Sequence, residues 1–166
     1  MPCDACEKIV IKVEKAKTTY NLIEKTIELC NTQAQQRIPW IIFDRDEVVN
    51  FDKIIKEANS KDINVGWSNP CFEIWMFAYF NEMPHISDSK ICCKKFSDKY
   101  KKITGQIYQK NDKDVYRKLT QYGSFKKAYQ IAENNLKSNI NKKPSASYPA
   151  CTVHHLVKEI SEKVGA

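Results

Sequence analysis

Asp44, Asp46 and Glu73 are the residues whose type and setting could do chemistry. Asp44-Arg45-Asp46-Glu47 follows directly on the apolar run Trp40-Ile41-Ile42-Phe43. If that run is a strand, alternation places Asp44 and Asp46 on one side. Two carboxylates at the end of a buried strand suit a hard divalent cation, Mg²⁺ or Mn²⁺. Such an ion takes one or two protein carboxylates and keeps waters that phosphate oxygens can replace. The competing reading is a solvated turn whose acids cap the next helix. Glu73 is the only charge between Pro70 and Phe80 in an otherwise apolar stretch. A carboxylate there is costly unless it is paired, liganded or facing a cleft. The plainer reading is a first-turn acid favoured by the helix dipole.

The other reactive residues point less clearly. Cys3-x-x-Cys6 has the spacing of half a zinc site, but no second pair follows and Cys92-Cys93 are adjacent. His154 and His155 are neighbours, so on a helix they are expected to face different sides, in surface or capping roles. The Cys71 thiol at a helix start could be acidified, although a buried packing thiol is the default.

These residues need elements to hold them. Ile9-Val10-Ile11-Lys12-Val13 reads as a buried strand. Thr18 or Thr19 then caps a helix whose apolar face is Tyr20, Ile23, Ile27 and Cys30. Trp40 to Phe43 is the second strand, Phe51 to Asn59 a helix, and Ile63 to Trp67 the third strand. Cys71 to Phe80 is a helix with Asn69 as cap and Pro70 at its first position. This β-α-β-α-β-α order predicts a parallel sheet flanked by helices, with functional side chains at the carboxyl ends of the strands. Helices are also expected over Lys90 to Thr104, Asp112 to Thr120, Phe125 to Ser138 and Val153 to Val164. The last carries the stripe Val153, Leu156, Val157, Ile160 and Val164, with Thr152 as cap. Asn139 to Pro149 reads as a Lys/Pro/Ser loop.

Length and charge set the frame. The 166 residues suit one domain, with an α/β part over 1–89 and a basic, mainly helical part over 90–166 packed on the same core. The longest apolar run, Ile74 to Phe80, is far short of the roughly 18 residues of a membrane span. The start, with Asp4 and Glu7, lacks the apolar stretch of a signal peptide. Seven cysteines without scaffold spacing suggest reduced thiols in a cytoplasm. Four glycines exclude a glycine-rich phosphate loop. The overall charge of +7 divides into −4 over residues 1–89 and +11 beyond. An acidic part joined to a basic part fits a metal site beside a phosphate-binding surface; lysine-rich solvated helices are the bland alternative.

Two phrases at this distance, Trp40-Ile41-Ile42-Phe43-Asp44-Arg45-Asp46-Glu47 and Ser68-Asn69-Pro70-Cys71-Phe72-Glu73-Ile74-Trp75, resemble the RloB-like family. The resemblance covers about residues 9–160, and Thr152-Val153-His154 looks like the family's closing segment. That family is found beside restriction and abortive-infection genes in prokaryotes and is regarded as Toprim-like. The resemblance therefore implies a metal-dependent site that cleaves nucleic-acid phosphodiesters in phage defence, with a partner ATPase. By position, Asp44 and Asp46 match the D-x-D metal ligands and Glu73 the glutamate of the SNPCFE segment, a further catalytic residue. Lys94, Lys95, Lys101, Lys102, Lys126 and Lys127 would track DNA or RNA. A homo-oligomer is compatible with this reading. Toprim domains usually open with a strand ending in a glutamate, in a phrase like EGxTE, and this sequence has none. The expected activity is correspondingly weak. The alternative is a scaffold that binds nucleic acid or the ATPase without cleaving. A basic helical RNA-binding module is a third reading, without a motif to carry it.

Overall fold

The computed structural model describes residues 10–32, 37–46 and 48–165. The chain is α/β, with seven helices and a small mixed sheet. After a 3-10 turn at Thr19–Asn21, α1 spans Leu22–Asn31 and β1 spans Trp40–Asp44. Helix α2 covers Phe51–Asn59, β2 Asn64–Asn69 and α3 Glu73–Tyr79. Helices α4 (Ser89–Thr104), α5 (Val115–Tyr122) and α6 (Phe125–Ser138) follow. A short strand, β3 (Ala150–Cys151), leads into α7 (Val153–Val164).

The sheet order is β1-β2-β3. β1 and β2 are parallel, with Asp44 opposite Ser68, so the two carboxyl ends lie side by side. β3 runs antiparallel to β2, pairing Ser68 with Cys151 and Asn69 with Ala150. The sheet is therefore only partly parallel, and its third strand comes from the far end of the chain. The expected first strand does not form. Val10 and Val13 are 73% and 84% exposed and pair with no strand, while Lys12 reaches Glu14 at 3.6 Å. β-branched residues favour a strand only where a neighbouring edge and a buried face receive them. Ile9 lies outside the described residues.

Local chemistry accounts for the helix ends. The Asp88 carboxylate accepts the Ile91 N–H at 2.8 Å and starts α4. Gly105, with φ of 73°, closes that helix in the left-handed conformation. The expected cap of α3 is corrected. The helix starts at Glu73, not after Pro70, and Asn69 is turned away. Asn69 Nδ2 donates to the Pro144 and Ser145 carbonyls at 3.0 and 3.1 Å, tying the end of β2 to the loop before β3. Thr152 precedes α7, but its hydroxyl serves the sheet. Oγ1 donates to the Val65 carbonyl at 2.7 Å and accepts from the Trp67 N–H at 2.9 Å.

Two apolar clusters form the interior. One joins Ile23, Ile41, Phe43, Phe51, Ile54 and Trp67 around the sheet. The other surrounds α3, which is buried along its whole length, and includes Phe96, Tyr100 and Leu119. Helices α4, α5 and α6 all pack on α3.

The α3–α5 contact yields a stability prediction. A Cβ on Gly123 would overlap the Tyr79 backbone carbonyl, whereas one on Gly66 would meet Ile42 Cγ1 at an ordinary 3.5 Å. Gly123→Ala should cost about 1–3 kcal/mol or more through forced backbone movement. Gly66→Ala should stay within about 1 kcal/mol. Urea unfolding of both variants checks this; equal midpoints would contradict it.

Candidate metal and phosphate site at the sheet edge

The carboxyl ends of β1 and β2 place the acidic residues. Asp44 closes β1, and the chain turns at once. Arg45 N–H donates to the Ser68 carbonyl at 2.7 Å and Asp46 N–H to the Pro70 carbonyl at 3.0 Å. These bonds hold the turn against the segment leading into α3. Asp46 has φ of 23°, outside strand geometry, so alternation along β1 does not govern its direction. Its Oδ1 accepts from Ser89 Oγ at 2.5 Å. Glu47 lies outside the described residues.

The Asp44 carboxylate accepts the Phe72 backbone N–H and senses the charges of Glu73, Lys110 and Asp46. Burial pushes its pKa up from 3.8 to about 6; the Phe72 bond opposes this, and Glu73 adds to it.

Glu73 is 2% exposed. Its Oε1 accepts from the Tyr108 hydroxyl at 3.1 Å and meets Lys110 Nζ at 3.3 Å. Among the described residues, its buried Oε2 has no hydrogen-bond partner. Burial alone would push the Glu73 carboxyl up, but its own backbone N–H, the Cys71 thiol and Lys110 outweigh that and hold it below the ordinary range. Burial works against the Lys110 ammonium too, and the Glu73 charge more than compensates. Glu73 is therefore ionised, compensated by one cation, with one oxygen left over.

Two thiols adjoin it. Cys71 Sγ and Cys93 Sγ are 3.9 Å apart, and both lie within 4.8 Å of a Glu73 oxygen. The Cys71 thiol is not acidified: its bond with Cys92, then burial, push it well up. Sequence reasoning missed Cys93, Tyr108 and Lys110. None has a spacing signal, because the α4 helix and the loop after it bring them to α3.

Among the described residues, ligand atoms gather within 4.8 Å in two groups, Cys71/Glu73/Cys93 and Glu133/His154/His155. The expectation that His154 and His155 diverge to surface or capping roles is corrected. The His154 ring is fully buried, and both Nε2 atoms reach Glu133 Oε1 on α6, at 2.8 and 2.5 Å. Cys3 and Cys6 lie outside the described residues.

Of the six lysines, Lys94, Lys95, Lys101 and Lys102 lie on α4 and Lys126 and Lys127 on α6. All six are exposed, and none forms an ion pair among the described residues. The pairs 94/101 and 95/102 are seven apart, so they share one face of α4. Both helices pack on α3.

Fold and site together define a small α/β protein with an acidic sheet edge backed by basic helices. The chain belongs to the RloB-like protein family, whose family model matches residues 3–160. No curated protein and no solved structure matches it. No helix among the described residues is long and apolar enough to cross a membrane.

The raised Asp44 pKa gives a pH prediction. Well below pH 3.8 the folded and unfolded chains both hold the Asp44 proton. As pH rises toward 6, the unfolded chain releases it first, so stability falls through that window and stays lower above it. With divalent ions chelated, Asp44→Asn should gain up to about 3 kcal/mol over wild type at pH 7.5 and little at pH 4. Denaturant melts at the two pH values check this; a difference independent of pH would contradict it.

Proposed function

We propose that this chain is a Toprim-like, divalent-metal-dependent nuclease component of a prokaryotic phage-defence system, acting on phosphodiesters of DNA or RNA. The observation that carries this reading is an ionised, buried Glu73 with a free oxygen, beside Asp44 at the carboxyl edge of two parallel strands. Three carboxylates against the single cation Lys110 leave an excess of negative charge. An oxygen-rich set of this kind fits Mg²⁺ or Mn²⁺. Asp44 and Asp46 would hold the ion, with Glu73 as a further ligand or as the group that orients the attacking water.

When bound, the ion supplies charge stabilisation for the scissile phosphate. The remaining work belongs to the chain. Ser89 and the Phe72 N–H aim the two aspartates. Tyr108 and Lys110 favour the ionised form of Glu73, which suits it to coordinate an ion or orient a water by accepting its hydrogen bond. The lysines of α4 and α6 would draw the nucleic-acid backbone toward this edge without reading bases. Family membership supports the defence setting and a partner ATPase in the cytoplasm; association of copies of this chain is compatible with it.

Two observations favour a second reading, a binding scaffold that does not cleave. Lys110 already neutralises much of Glu73, and Glu14, the acid nearest the first β-branched run, pairs with Lys12 outside any strand. Without a first-strand base, a loss of about 10²–10⁴-fold in rate follows.

Calorimetric titration with Mn²⁺ tests the metal. Wild type should bind, and Asp46→Ala and Glu73→Gln should each weaken binding at least about tenfold. No binding, or binding unaffected by both changes, would remove the site. Nucleic-acid cleavage should be slow and lost in Asp44→Ala. Robust Mn²⁺ binding with no cleavage, even with a partner ATPase, would favour the scaffold. The lysines are tested by the double change Lys94→Glu, Lys95→Glu, which should lower the salt slope of nucleic-acid binding by about 2; an unchanged slope would make them solvated surface only.

A further inference from the structure

A second donor cluster lies between α6 and the start of α7. Glu133 is the α6 residue that faces it. Its Oε1 meets His154 Nε2 at 2.8 Å and His155 Nε2 at 2.5 Å, and one donor atom from each residue lies within 4.8 Å of the other two. Both imidazoles present the same nitrogen to one point. The His154 ring is held there on several sides, with Tyr129 at 5.1 Å and Trp75 at 5.9 Å between ring centres. Its other nitrogen, Nδ1, lies 3.7 Å from Cys151 Sγ, a contact that fixes the ring's orientation. Among the described residues, no lysine or arginine pairs with Glu133; its ion-pair partners are the two histidines. Lys158 on α7 sits over the Tyr129 ring, 5.3 Å from its centre. The cluster is closed on the His154 side and open on the other, where the His155 side chain is 40% exposed.

We propose that Glu133 Oε1, His154 Nε2 and His155 Nε2 bind a transition-metal dication of the Zn²⁺ class. Two imidazoles and one carboxylate with an open fourth position form a zinc donor set. Imidazole suits Zn²⁺, Ni²⁺ or Cu²⁺, whereas Mg²⁺ prefers oxygen alone. The dication would pair with the Glu133 carboxylate while both imidazoles bind it as neutral ligands. The bound ion ties α6 to α7 and, through Cys151, to β3. The proposal is independent of the nuclease reading, because it shares no ligand with the acidic edge.

Cobalt(II) is the probe, titrated into the chelator-stripped full chain and followed by its visible absorption. Wild type should bind one ion with the bands of a nitrogen–oxygen set, and Zn²⁺ should displace it. Glu133→Gln and His155→Ala should each weaken binding at least about tenfold, while Asp46→Ala leaves these bands in place. Circular dichroism verifies that both variants stay folded; His155 is partly exposed and its change leaves the core intact. Three results would overturn the proposal. They are no cobalt bound by wild type, binding unchanged in both variants, and a sulfur-to-cobalt charge-transfer band showing that cysteines hold the ion. The cluster would then be a hydrogen-bonded triad only.

Discussion

A carboxylate that stays ionised inside a hydrophobic helix is the constraint around which this protein is arranged. Glu73 opens α3, and every residue of that helix is buried. An uncompensated charge there would cost several kcal/mol. The chain answers from the segment between α4 and α5, which carries Tyr108 and Lys110 to one oxygen of Glu73. The second oxygen is left without a partner. Buried polar atoms are nearly always satisfied, so this orphan, on a carboxylate whose charge interacts with Asp44, is a candidate ligand atom. Asp44 at the same edge is also largely buried, and that burial, with a smaller contribution from the Glu73 charge, raises its proton affinity.

Helix α3 also joins the two halves of the interior. Its apolar residues pack against α4, α5 and α6, while the segment before it is bonded to the turn after β1. β3 closes the arrangement from the far end of the chain, pairing with the last residues of β2. The acidic edge is therefore fixed by contacts from four distant segments, around Asp44, Glu73, Lys110 and Cys151. Helices α4 and α6, which carry the exposed lysines, also pack on α3.

Much of this was legible in the sequence. Phe51–Asn59, Phe125–Ser138 and Val153–Val164 are helices at the expected bounds, because their apolar periodicity is strong and matches the buried faces. Trp40–Phe43 forms a strand as its unbroken apolar run suggests, although it is not buried on both faces, since Ile42 is exposed. What failed depended on partners. Val10, Ile11 and Val13 have strand composition but no edge to join. Ala150–Cys151 is a strand only because β2 has a free side, and two residues carry no periodicity. Asn69 left its expected cap because the Pro144 and Ser145 carbonyls compete for its amide. Adjacent histidines are 100° apart on a helix, yet Glu133 from α6 collects both. The acidic residues themselves were visible because a charge in an apolar run stands out. Their neighbours Cys93, Tyr108 and Lys110 were not, since only the tertiary fold brings them near.

The central claim is that the orphaned Glu73 oxygen and the two aspartates share one divalent ion. The direct measurement is a crystal structure of the chain soaked in Mn²⁺, with an anomalous difference map. The account predicts a peak within coordination distance of Asp44 and Asp46, with Glu73 as a ligand or one water away. A map with no peak at that edge, at a concentration where manganese binds elsewhere on the protein, would contradict it.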